Sequence, residues 1–184
     1  NLALGGLILA AFVSQTGCKP TDLSKENLIP KPVSVVATGS SFDLTDQTDI
    51  YVQGESAEVI QIGQFLADKL NPSTGLGIEV KTTIEAPGPG NIFLSLSGTD
   101  AELGTEGYEL TITDKSVNLV ANQPAGLFRG IQSIRQILPS KVEMADKQKG
   151  PWKLATGTIR DYPSYEYRGS MLDVARHFFG VDDV

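Results

Sequence analysis

Ionisable side chains crowd one short stretch of this sequence. Arg168, Asp173, Arg176 and His177 all fall within Tyr167-Arg-Gly-Ser-Met-Leu-Asp-Val-Ala-Arg-His-Phe-Phe179. The same stretch carries an apolar core of Met171, Leu172 and Val174. Such a pattern predicts a buried strand, and a charge on a buried strand must be paired or functional. Gly180 and Val181-Asp-Asp-Val184 follow, with acidic residues where the first turn of a helix is stabilised by them. Residues 164–184 therefore read as the opening strand and helix start of a further, truncated domain.

The rest of the chain narrows the chemistry mainly by exclusion. There is one cysteine, Cys18, and one histidine, His177. A disulfide framework and a Cys/His zinc site are both ruled out on those counts, and no metal or cofactor is expected. No Ser-His-Asp order can be assembled, and no glycine-framed nucleophile elbow occurs. Gly75-Leu-Gly77 and Pro87-Gly-Pro-Gly-Asn91 are not followed by helix patterns, so neither reads as a phosphate loop. The net charge of -7 argues against a nucleic-acid surface. Carboxylates are plentiful, but none before Asp173 is placed where a cleft is implied.

The elements that must position the charged stretch begin after a leader. Residues 1–18 hold an apolar run, Leu2 to Val13, of the length of a signal-peptide h-region and too short to span a bilayer. Ser14-Gln15-Thr16-Gly17-Cys18 resembles a bacterial lipobox, in which Cys18 would be lipidated. An ordinary secretory signal with an incidental cysteine is the alternative. The lipobox reading predicts an exported protein, periplasmic or at the cell surface, that meets the membrane through a lipid anchor only. Residues 19–32, with prolines at 20, 30 and 32, are expected to be a polar tether.

Residues 33–163 alternate strand and turn signals. Val33, Val35 and Ala37 alternate with Ser34, Val36 and Thr38, Gly39-Ser-Ser41 reads as a turn, and short β pieces follow at 42–44 and 50–52. Val59, Ile62, Phe65, Leu66 and Leu70 lie on one helical face that Asn71-Pro72 is expected to stop. Strand signals return around Ile78–Val80 and Ile92–Leu96. Tyr108–Thr113 and Ser116–Ala121 form a hairpin with apolar residues inward. Pro124 opens a second helix with Leu127, Ile131, Ile134 and Leu138 in one stripe, ended by Pro139. Gly126 and Gly130 share a face of that helix and predict a close approach to the sheet. Residues 140–150 read as a solvated loop, and 152–160 as a last strand. The predicted fold class is α+β: a mainly antiparallel sheet with two helices on one face.

Three blocks, Gly107-Tyr-Glu-Leu-Thr-Ile112, Pro124 to Pro139, and Tyr167 to Phe179, together resemble glycoside hydrolase family 20, the β-N-acetylhexosaminidases. The resemblance implies an N-terminal α+β domain followed by a (β/α)8 catalytic barrel, of which Tyr167 to Asp173 would be the first strand. It implies removal of terminal non-reducing β-linked GlcNAc or GalNAc from a carbohydrate substrate by substrate-assisted retaining hydrolysis. The family's catalytic Asp-Glu pair follows barrel strand four. It is therefore expected beyond Val184, no residue of this chain is assigned to catalysis, and the fragment itself is expected to be inactive. Arg168 matches the arginine that reaches the hydroxyls at C3 and C4 of the bound sugar, a task suited to a forked donor. Its alternative role is an ion pair with a barrel carboxylate. Asp173, Arg176 and His177 are expected to support the site as a buried cluster. The competing reading is a non-catalytic surface lipoprotein that uses the α+β domain to bind glycans or a partner.

Overall fold

The computed structural model describes residues 22–96, 100–171 and 180. Seven strands form one sheet, and two helices cover it. The strands are β1 Ser34–Asp43, β2 Ile50–Gln53, β3 Val80–Thr83, β4 Asn91–Leu96, β5 Tyr108–Ile112, β6 Ser116–Ala121 and β7 Lys153–Asp161. Their spatial order is β1-β7-β5-β6-β4-β2-β3. Helix α1 spans Ala57–Thr74 and α2 spans Pro124–Ile137.

This is the expected α+β class, but the sheet is mixed. The β1–β7, β7–β5 and β5–β6 pairs run antiparallel. The β6–β4, β4–β2 and β2–β3 pairs run parallel. The antiparallel share is therefore smaller than a meander would give. The reason lies in the connections. Helix α1 carries the chain over the sheet between β2 and β3, and a crossover of that length returns the next strand in the same direction. Alternation along a strand sets its buried face, not its neighbours.

Both helices lie on one face, and the register shows which. Val52, Leu94, Leu119, Leu110 and Ile159 stand opposite one another across β2, β4, β6, β5 and β7. All five are fully buried. Directly opposed residues project to the same side of a sheet. Helix α1 meets that side at Gly63, where a Cβ would lie 3.1 Å from the Val52 and Val80 side chains. Helix α2 meets it at Gly130, where a Cβ would lie 2.2 Å from Leu119 Cδ1. At Gly126 a Cβ would lie 2.2 Å from the Gly107 carbonyl oxygen. The predicted close approach is thus what the packing demands. The helices also touch each other, with the Phe65 and Phe128 ring centroids 5.4 Å apart.

Three boundaries differ from expectation. The strand β1 continues through Gly39-Ser-Ser41, because a bulge between Ala37 and Ser41 absorbs the extra residues without breaking the pairing to β7. Helix α1 runs past Pro72 to Thr74. Pro72 removes one i→i−4 hydrogen bond near the C-terminal end, and neighbours secure that end. The Asn71 carbonyl accepts from the Gly75 N–H at 2.8 Å, and Gly75 takes the left-handed conformation. The Ser73 hydroxyl donates to the Val142 carbonyl at 2.7 Å.

The third correction concerns the tether expected over 19–32. Leu23 and Leu28 are core residues, and Leu23–Lys25 forms a short helical turn capped by Asp22. The Gln136 side chain on α2 accepts from the Ile29 N–H at 2.8 Å and donates to the Ile29 carbonyl at 3.0 Å. From Asp22 onward this segment is packed into the domain, since two leucines within a polar run suffice to anchor it.

Candidate functional site

The site begins from Glu106, the residue before Gly107 at the entrance to β5. Gly107 donates its N–H to the Leu103 carbonyl at 2.8 Å. A Cβ at Gly107 would stand 2.3 Å from that same oxygen. The backbone carrying Glu106 therefore has no slack on one side. Arg129, on α2 beside the tightly packed Gly130, donates to the Glu106 carboxylate at 3.2 Å. Arg168, in the segment after β7, also bonds Glu106 through one terminal nitrogen. Its other terminal nitrogen donates to the Tyr165 carbonyl at 2.7 Å. One carboxylate thus receives two guanidiniums from two separate parts of the chain.

Burial alone would push the Glu106 carboxyl up, but the hydrogen bonds from Arg168 and Arg129 outweigh it and hold the group below its ordinary range. Beside this junction lies a cavity of about 610 Å³, lined by Glu106, Arg129, Gln136, Asp161, Tyr165 and Arg168 among others. Asp161 accepts from the Val33 N–H at 3.3 Å, and burial raises its carboxyl above the usual value. In the cavity wall the Tyr108 hydroxyl meets Ser133 Oγ of α2 at 2.6 Å. Burial pushes the Tyr108 phenol up to about 12.

Of the residues singled out from sequence, Arg168 is placed here, against a carboxylate of the α+β domain rather than of a barrel. Cys18, Asp173, Arg176 and His177 lie outside the described residues. Of the expected first barrel strand, residues 167–171 are described, and they are exposed and form no strand, so Met171 is not the core residue the apolar pattern suggested, because nothing in the described chain packs over it. Glu106 and Arg129 were not anticipated. Each adjoins a glycine of a recognised block, Gly107 and Gly130, and that adjacency was the available signal. Chemically the junction offers charge-assisted donors and acceptors for binding and orientation. It contains no nucleophile-and-base pair. Among the described residues, no cluster of His, Cys, Asp or Glu is arranged to hold a metal ion, and no helix is long and apolar enough to cross a membrane.

The family model described as "Glycosyl hydrolase family 20, domain 2" matches residues 25–162. The chain belongs to glycosyl hydrolase family 20. The match begins before β1, in agreement with the packing of Leu28. A beta-hexosaminidase of Porphyromonas gingivalis is 35% identical over 158 residues, which is 86% of this chain and 20% of that protein. The solved GH20 beta-N-acetylhexosaminidase of Streptomyces coelicolor is 42% identical, with a TM-score of 0.74 over 85% of this chain and 30% of its own. A mutant Streptomyces plicatus beta-hexosaminidase, solved with the product GlcNAc, is 43% identical at the same TM-score and coverage. The chain thus spans 20–30% of the length of these family 20 relatives.

Proposed function

We propose that this chain is the N-terminal part of a β-N-acetylhexosaminidase, an exo-glycosidase that removes terminal non-reducing β-linked GlcNAc or GalNAc. The observation that carries the reading is the family 20 domain over residues 25–162, followed at once by Arg168-Gly169. In this reading the substrate's acetamido oxygen attacks the anomeric carbon, an Asp orients the acetamide, and a Glu is the general acid. This reading assigns neither carboxyl to a residue of this chain. Arg168 donates to the vicinal hydroxyls of the terminal sugar, and Asp173, Arg176 and His177 are its supporting residues. The protein is exported and held at the membrane by a lipid on Cys18. A Cys18→Ala variant that stays in the membrane fraction would remove that last element.

The test is turnover of an aryl β-N-acetylglucosaminide by the full-length protein beside its Arg168→Ala variant. Loss of a charged donor to the sugar is expected to lower kcat/KM roughly 10- to 100-fold. An inactive but folded wild type would favour the non-catalytic binding protein. An active wild type with an unaffected variant would leave the enzyme and move Arg168 to a structural role.

A further inference from the structure

We infer that Glu106 is a positioning residue for Arg168: it fixes the guanidinium that the hydrolase reading assigns to the sugar, and it does so from the α+β domain. The inference rests on that reading of Arg168. Four observations lead to it.

First, the geometry is specific. Glu106 takes one terminal nitrogen of Arg168, and the Tyr165 carbonyl takes the other at 2.7 Å. Each bond uses one hydrogen, and a guanidinium carries five. The fork is thereby oriented while donors remain for two neighbouring hydroxyls. Second, Glu106 is itself fixed. Arg129 holds the carboxylate from α2 at 3.2 Å, and the flanking Gly107 is wedged against the Leu103 carbonyl. A site residue is placed accurately when its partner stands on packed ground.

Third, among the described residues Arg168 has little else to place it. Tyr165, Tyr167 and Met171 around it are 75%, 89% and 91% exposed. Fourth, stability does not explain the arrangement. Arg129 and Arg168 side chains are 55% and 42% exposed, and ion pairs in such surroundings add little to folding. Two cations converging on one carboxylate instead serve orientation. The α+β domain, which holds no catalytic carboxyls in this reading, is thereby given a part in sugar recognition.

The experiment is a double-mutant cycle on the full-length protein, with Glu106→Ala, Arg168→Ala and the pair, assayed by kcat and KM on an aryl β-N-acetylglucosaminide. Glu106→Ala is expected to lower kcat/KM about tenfold or more, because small misplacements of a binding group are costly. In the Arg168→Ala background the same change is expected to do almost nothing, since Glu106 acts through Arg168. Glu106→Asp, which keeps the charge on a shorter stem, is expected to recover part of the loss, and the thermal midpoint is expected to stay near that of the wild type. A Glu106→Ala variant as active as the active wild type overturns the inference and leaves the hydrolase reading intact. Equal losses in both backgrounds also overturn it, by making Glu106 structural. A folded wild type without turnover overturns the hydrolase reading, and this inference with it.

Discussion

At position 126, beneath α2, there is no room for a methyl group; at position 169, beyond β7, a methyl group would meet little more than the tip of Tyr167. The first Cβ would lie 2.2 Å from a backbone carbonyl oxygen, the second 3.3 Å from a tyrosine hydroxyl. These two regions of one chain are held by different physics. The α+β domain is fixed by interlocked apolar surfaces, with layers of fully buried side chains between helix and sheet. The segment that leaves it is fixed by a few polar contacts, chiefly those of Arg168 with Glu106 and Tyr165. Packing makes the domain able to act as a platform. Polar contacts hold the exit segment at a few points and leave Tyr165, Tyr167 and Met171 exposed.

The largest expected effect that tests this contrast is loss of a core side chain. Leu110 is fully buried at the centre of the sheet. Leu110→Ala is expected to destabilise the chain by about 2–5 kcal/mol, through lost burial and the cavity left behind. Met171→Ala is expected to change stability by less than about 0.5 kcal/mol. Urea denaturation of the two variants measures both. Similar losses would mean that the exit segment is packed as firmly as the core.

The next effect is backbone crowding. Gly126→Ala is expected to cost about 1–3 kcal/mol by forcing α2 away from Gly107, despite the helix-favouring nature of alanine. Gly169→Ala is expected to be near neutral, because the Tyr167 side chain can turn aside. Thermal unfolding of both proteins decides the point. A harmless alanine at 126 would show that α2 can shift on the sheet without loss, and that the platform is softer than its packing implies.

The sequence made the packed region legible and left the polar junction obscure. Helix α2 was readable from its apolar stripe and from Pro124 at its start. Gly126 and Gly130 even announced the tight contact, because glycines four apart in a helix have few other uses. The hairpin of β5 and β6 followed from strict alternation around Asp114-Lys115. The parallel pairing of β2 with β3 and β4 did not, since strand neighbours are chosen by crossover and packing rather than by alternation. Leu23 and Leu28 were hidden in a polar, proline-bearing run whose composition resembles a linker. Arg168 was visible through a motif. Its partner Glu106 was not, because a glutamate looks the same in sequence whether it faces water or two arginines 62 and 23 residues away.

The smallest effect concerns a polar contact inside the packed region, compared with a polar residue outside it. Ser133 is buried on α2 and meets the Tyr108 hydroxyl at 2.6 Å, whereas Ser164 is exposed. Ser133→Ala is expected to cost about 1–2 kcal/mol, the price of leaving a buried hydroxyl without a partner, and Ser164→Ala close to nothing. The same contact has a pH signature. Tyr108 is raised from 10.0 to about 12, first by burial and further by the Asp161 charge, with the Ser133 hydrogen bond acting in the opposite sense. The folded protein therefore keeps a proton that the unfolded chain releases. Stability is expected to be level below pH 10 with respect to this group and to fall as pH rises from about 10 to 12. Denaturation across that range, read beside tyrosinate absorbance, follows the loss. A profile that stays level through the window, together with a Ser133→Ala variant as stable as Ser164→Ala, would put the Tyr108 hydroxyl in contact with water, and the division between the dry platform and its wet exit would then have to be drawn deeper inside the domain.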